Sequence, residues 1–332
     1  MMKNVLLTVA VFCMTSTGLK ADFTSLAIMQ RFEHVISDDD AVIRLFNDDN
    51  CEILKMGIRS SQAKSMYVVV ASKKKSFVKI TREDCQLCNE TSFDYEWELK
   101  KDKQKNNLVK AVNAELILPD KSAVFMLEGK EHLIVSYPWA PGKTLQDIYI
   151  DYLEDNKTSE ALKIAMYRYG QVLATTDLDP NNPNDDIAKL LNRVPRMLLN
   201  DRHGGNTKYF ERNDKIYLID LSKVNNNMDQ VTVGASIASN FREIANFLMA
   251  GLSSDRFDVK ENEFKEIYRN GKGYLSIPFN QFIAGYISAL PKYDPNVIKS
   301  MLIKEMYDMF RANCEAGMGV YCDLINGVRF IK

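Results

Sequence analysis

The chain has 332 residues, 46% of them hydrophobic and 26% charged, with only 15 Gly and 9 Pro. That composition excludes a disordered or collagenous chain and a bare disulfide knot, and the length is enough for a core divided between two lobes. Forty-three basic residues against 44 acidic give a formal net charge of -1, so no global field draws the surface to nucleic acid, and any anion site must be local. The three histidines, His34, His132 and His203, have no helical zinc-motif spacing, which leaves metal chemistry to carboxylates and amides.

Residues 1–21 carry Lys3, the apolar run Val5–Met14, the small polar residues Ser16, Thr17 and Gly18, and then Lys20 and Ala21. This is the pattern of a secretory signal peptide cleaved after Ala21, the apolar run being well short of the roughly 20 residues that span a bilayer. The expectation is a secreted or extracytoplasmic protein with no stable membrane span. Loss of Cys13 would leave Cys51, Cys85, Cys88, Cys314 and Cys322, an odd set. Cys85 with Cys88, and Cys314 with Cys322, are close enough in sequence to bridge in an oxidising compartment.

Along the mature chain, Leu26, Met29, Phe32, Val35 and Ile36 have helical spacing, and Asp38-Asp39-Asp40 suits the positive end of a second helix. Residues 22–50 are therefore expected as a helical extension. Short β-rich runs follow at Glu52–Gly57, Met66–Ala71 and Phe77–Thr81, and again at Glu115–Leu118, Ala123–Leu127 and His132–Tyr137. Residues 91–112 between them are polar and helix-prone, so the simplest assembly is a five-strand sheet with one inserted helix. After Pro138-Trp139-Ala140-Pro141-Gly142 the periodicity becomes helical, apart from an Asn/Asp/Gly-rich loop and the strand Lys215–Leu221.

That loop and strand hold the most informative residues. Asp201 is followed five residues on by Asn206, and fourteen after that by Asp220 at the end of an apolar run. Phosphoryl transfer from ATP needs a carboxylate to orient the attacking hydroxyl and oxygen ligands to hold magnesium on the phosphates. Asp201 suits the first role; Asn206 and Asp220 suit the second.

The frame Asp201-x-His203-x-x-Asn206, followed by Ile219-Asp220, resembles the protein-kinase-like superfamily, most closely its aminoglycoside phosphotransferase and choline kinase branch. The departures are Leu199 and Asn200, which stand where that branch carries His-Gly. The resemblance spans roughly residues 52–250 and implies an α+β, two-lobed kinase-like fold: a small antiparallel β-sheet lobe over 51–139 and a larger, mainly helical lobe over 140–332. It makes Asp201 and His203 the catalytic pair, and Asn206 and Asp220 the magnesium ligands. Lys79, in Phe77-Val78-Lys79-Ile80, would anchor the ATP phosphates beside a loop bearing Ser60 and Ser61, with Glu98, or else Glu96, as its ion-pair partner. Backbone near Tyr137 and Trp139 would hold adenine.

The implied function is ATP- and magnesium-dependent phosphotransfer to a hydroxyl on a small molecule, protein or lipid, with the acidic stretch Asp177–Asp186 a candidate for a cationic acceptor. The alternatives are a secreted protein or lipid kinase, or a nucleotide-binding pseudokinase, including one that transfers AMP.

Overall fold

The computed structural model describes residues 29–32, 35–48, 50–57, 63–81, 90–127, 129–154, 159–197, 199, 204–221, 231–252 and 276–327. The architecture is mixed α+β, with a largely antiparallel sheet in the first part of the chain and a helical assembly in the second.

The first sheet has six strands in the order β1 (Met29–Phe32), β6 (Lys121–Leu127), β7 (Lys130–Pro138), β4 (Lys74–Thr81), β3 (Ala63–Ala71) and β2 (Glu52–Lys55). All neighbours run antiparallel except β1 and β6. β3 and β4 are joined by Ser72 and Lys73, both at positive φ, which gives the two-residue turn whose twist suits a right-handed hairpin. One face of the sheet is closed by α1 (Asp38–Phe46), whose Ala41 and Val42 pack with Tyr67, Val69, Val78 and Phe125. Ser37 caps this helix by accepting from the Asp40 N–H, and Asp38, Asp39 and Asp40 occupy its positive end.

The preface thus differs from the helical expectation. Its acidic run does open a helix, but Met29–Phe32 is a strand paired in register with Ser122–Phe125. Pairing with an available edge outweighs the 3.6-residue spacing of so short a segment. The inserted region also holds two helices, α2 (Glu90–Lys101) and α3 (Lys103–Lys110), the second capped by Asp102. The strand expected at Glu115–Leu118, found as β5 (Ala114–Leu116), leaves the first sheet. It pairs in parallel with β10 (Lys215–Leu218) in a second sheet of order β5-β10-β9-β8, where β8 is Lys143–Thr144 and β9 is Thr207–Phe210.

The helical part comprises α4 (Leu145–Glu154), α5 (Ser159–Asp177), α6 (Ile187–Leu191), α7 (Val233–Leu252), α8 (Ser276–Ser288), α9 (Pro295–Glu315) and α10 (Gly319–Gly327). Leu99 of α2 and Val109 of α3 belong to its core, so the inserted helices link the two parts. None of the described helices is long and apolar enough to cross a membrane. Cys314 and Cys322 form a disulfide that ties α9 to α10. Cys85 and Cys88 lie outside the described residues, as do residues 1–21.

Two features fix the helical core. Asp177, buried at the end of α5, accepts from Ser236 Oγ (2.6 Å) and Tyr286 Oη (3.1 Å), joining α5 to α7 and α8. α5 and α8 also cross at backbone contact through glycines. A Cβ on Gly170 would lie 2.1 Å from the Phe282 carbonyl oxygen, and one on Gly285 would lie 1.9 Å from that of Tyr167. Neither obstruction is a flexible side chain, so the helices must move apart to admit a methyl group.

Gly285→Ala should therefore destabilise the protein by about 1–3 kcal/mol in urea unfolding, the usual cost of overpacking. In an unconstrained helix the same change would stabilise by about 1 kcal/mol. A neutral or stabilising result would contradict this crossing.

Candidate functional site

Four side chains, three from elements and one from a connecting segment, meet where the first sheet faces the helical part: Lys79 of β4, Glu96 of α2, Tyr137 of β7 and Asp220, two residues beyond β10. Lys79 alternates with buried Val78 and Ile80, so its side chain leaves the face of the sheet opposite α1. Its ammonium lies 2.7 Å from Asp220 Oδ1, the two side chains being 15% and 25% exposed. At that exposure the pair is shielded from bulk water and still open to a ligand.

Asp220 is held by the backbone on either side. The Ile219 N–H donates to the Asn206 carbonyl oxygen (2.9 Å), and the Leu221 N–H donates to Glu96 Oε1 (3.1 Å). Between these anchors Asp220 has φ +54°, left-handed backbone that aspartate tolerates better than most residues and that costs about 1 kcal/mol or more. The strained turn points its carboxylate at Lys79 and sets Asn206 beside the residue that precedes it.

Glu96 is fully buried and accepts from Tyr137 Oη at 2.9 Å as well as from the Leu221 N–H. Burial drives its carboxyl up to about 7, helped by the charge of Asp220 and opposed by the Tyr137 hydroxyl, Lys79 and the Leu221 N–H. Burial and the neighbouring Glu96 push the Tyr137 hydroxyl well above the ordinary tyrosine range.

Several sequence expectations change. Glu98 is exposed and turned away, and Glu96 is the acidic residue of α2 that faces the cluster. The signal was available in Leu99, which is buried: Glu96 and Leu99 are three apart and share a helix face, whereas Glu98 does not. The close partner of Lys79 is Asp220, with Glu96 behind the pair, tied to Tyr137 and Leu221.

Trp139 does not present its N–H to a ligand, because it donates to the Lys75 carbonyl oxygen at 3.2 Å, extending the β4–β7 pairing past Pro138. Tyr137 pairs in register with Phe77, and its side chain serves Glu96. Asp177, at the start of the proposed acidic stretch, is engaged inside the helical core, and Asp186 caps α6 through the Lys189 N–H. Asp201, His203, Ser60 and Ser61 lie outside the described residues.

The cluster has the chemistry for holding a phosphate–metal group. Lys79 can serve a phosphate anion, while the Asp220 carboxylate and the Asn206 side-chain amide are oxygen donors of the kind magnesium takes. No group of three or more His, Cys, Asp or Glu suited to a metal occurs among the described residues, so an ion bound here would draw further ligands from phosphate and water.

No protein-family model and no curated protein matches the sequence. Among solved structures, the chain is similar to the Neurospora crassa PAN2 (WD40-CS1) complex with PAN3 (pseudokinase and C-term), at 12% identity and a TM-score of 0.39, covering 88% of this chain and 75% of the other. It is also similar to the Mycobacterium tuberculosis PknI kinase domain, at 10% identity and a TM-score of 0.39, covering 78% of this chain and 97% of the other.

The buried Glu96 carboxyl gives the metal-free protein a defined pH signature. Its folded value of about 7 stands above the ordinary 4.5, so the folded state holds a proton that the unfolded state has lost between those values, and stability falls as pH rises through that window. Urea unfolding of the wild type and of Glu96→Gln across pH 4 to 8 should show their stability difference changing by up to about 1.4 kcal/mol per pH unit inside the window and levelling outside it. A difference independent of pH would contradict the buried, protonated carboxyl.

Proposed function

We propose that the chain is an ATP- and magnesium-dependent phosphotransferase of the protein-kinase-like type, related to the aminoglycoside phosphotransferase and choline kinase branch. The observation that carries this reading is the 2.7 Å Lys79–Asp220 pair, with Asn206 tied through its backbone to the residue before Asp220. These are the residues that the sequence frame assigns to phosphate and magnesium, and Lys79 and Asp220 are 141 positions apart in the chain.

In this reading Lys79 releases Asp220 to bind the nucleotide phosphates. Asp220 and Asn206 would hold magnesium, which would supply neutralisation of charge on the phosphate oxygens. Glu96 and Tyr137, buried behind them, keep Leu221 and hence the Asp220 turn in place. Asp201 orients and deprotonates the acceptor hydroxyl, and His203, two positions on in the sequence, is the second catalytic residue. The acceptor is a small molecule, protein or lipid bearing a hydroxyl. Residues 1–21 direct export, a reading supported by the Cys314–Cys322 disulfide, a bond favoured in oxidising compartments.

One observation favours a second reading, a nucleotide-binding pseudokinase module. Glu96 spends its carboxyl oxygens on the Tyr137 hydroxyl and the Leu221 N–H. Such a cleft can bind nucleotide without transferring phosphate.

Incubation with terminally labelled ATP, magnesium and a lysate of mixed acceptors should move label onto one acceptor class. Asp220→Ala should reduce that transfer at least about a hundredfold, the scale of removing one essential charge-stabilising group. Full transfer by the variant would overturn the assignment. Nucleotide binding without transfer by the wild type would select the pseudokinase reading, and transfer of label from α-labelled ATP with none from terminally labelled ATP would indicate AMP transfer.

A further inference from the structure

Lys75, Phe77 and Lys79 recur every second residue on β4, so they line one face of the sheet, each about 7 Å from the next. Lys79 lies at the end of this row that meets Asp220, its ammonium 6.0 Å from the centre of the Phe77 ring. Lys75 lies at the other end, with its ammonium 3.8 Å from the centre of the Trp139 ring. From the second sheet, Lys208 of β9 brings another ammonium to the same tryptophan, 4.8 Å from its ring centre, and donates to the Ala140 carbonyl oxygen at 3.1 Å.

Two ammonium groups gathered at one ring repel each other. Burial holds the Lys208 ammonium below its ordinary range, opposed by Asp147, and Lys75 adds to the lowering. Each ammonium carries three donors and no acceptor, and Lys208 spends one donor on Ala140. This end of the row therefore offers hydrogen-bond donors and positive charge beside two aromatic rings, Phe77 and Trp139.

We infer that the row is a nucleotide track with a base-selective end: phosphates at Lys79, the base against Phe77, and a carbonyl edge of the base facing Lys75 and Lys208. The inference rests on the nucleotide reading above and goes further, by naming the base. A 6-keto purine such as guanine presents acceptors at O6 and N7, which lysine donors match. Adenine presents an amino group where guanine has O6, and that donor meets the lysine donors unfavourably. A site built to hydrogen-bond one functional group discriminates strongly against an analogue lacking it. GTP should therefore bind this row more tightly than ATP, the donor of the reading above, which the same site still accepts more weakly.

Calorimetric titration of the full chain with the non-hydrolysable imido analogues of GTP and ATP, in magnesium, tests this. The GTP analogue should bind at least about tenfold more tightly than the ATP analogue, the discrimination expected from one or two satisfied hydrogen bonds. Lys208→Met should bring the two affinities together. Lys75→Met, at an exposed position whose loss cannot unsettle the core, should reduce the preference in part. Equal binding of the analogues, tighter binding of the ATP analogue, or variants that weaken both analogues while leaving their ratio unchanged would overturn base selection and leave the nucleotide reading standing. Failure to bind either analogue would overturn both.

Discussion

The ion pair between Lys79 and Asp220 is the contact around which the site is arranged, because it joins the first sheet to the segment that follows β10 of the second. Lys79 comes from the centre of a six-stranded sheet, and Asp220 lies two residues beyond β10, a strand of a different sheet. A partly shielded pair of this kind adds little net stability, but removing one partner leaves the other charge uncompensated, so both residues are constrained together. A ligand that brings its own negative charge and cation can exchange with both sides of the pair at small net cost.

Behind the pair, Glu96 solves a geometric problem. Asp220 sits in a left-handed turn, and a turn of that kind persists only when its neighbours over-determine it. The Ile219 and Leu221 N–H groups supply the restraint from opposite sides, one through Asn206 and the other through a carboxylate on α2. Leu99 on the same face of α2 is packed in the helical core. Any shift of that helix therefore reaches the Asp220 turn through one hydrogen bond, and reaches Tyr137 on the sheet through another.

Much of this was legible in the sequence where short-range chemistry decides the outcome. The alternation around Lys79, the apolar run before Asp220 and the acidic start of α1 each carry their own physical signature. The reading missed where partners distant in the chain decide. Met29–Phe32 has helical spacing, yet it becomes a strand because β6 offers an edge. The local sequence does not separate Glu98 from Glu96, because the facing of α2 is set by the burial of Leu99. The convergence of Lys75 and Lys208 on Trp139 joins three residues from separate segments, and no local pattern announces it.

The most direct test of the central claim, that this pair is exchanged for nucleotide phosphate and magnesium, is nucleotide affinity measured with and without magnesium for the wild type, Lys79→Met and Asp220→Asn. Lys79→Met should weaken binding under both conditions, whereas Asp220→Asn should weaken it only when magnesium is present. Wild-type affinity in magnesium for either variant would contradict it.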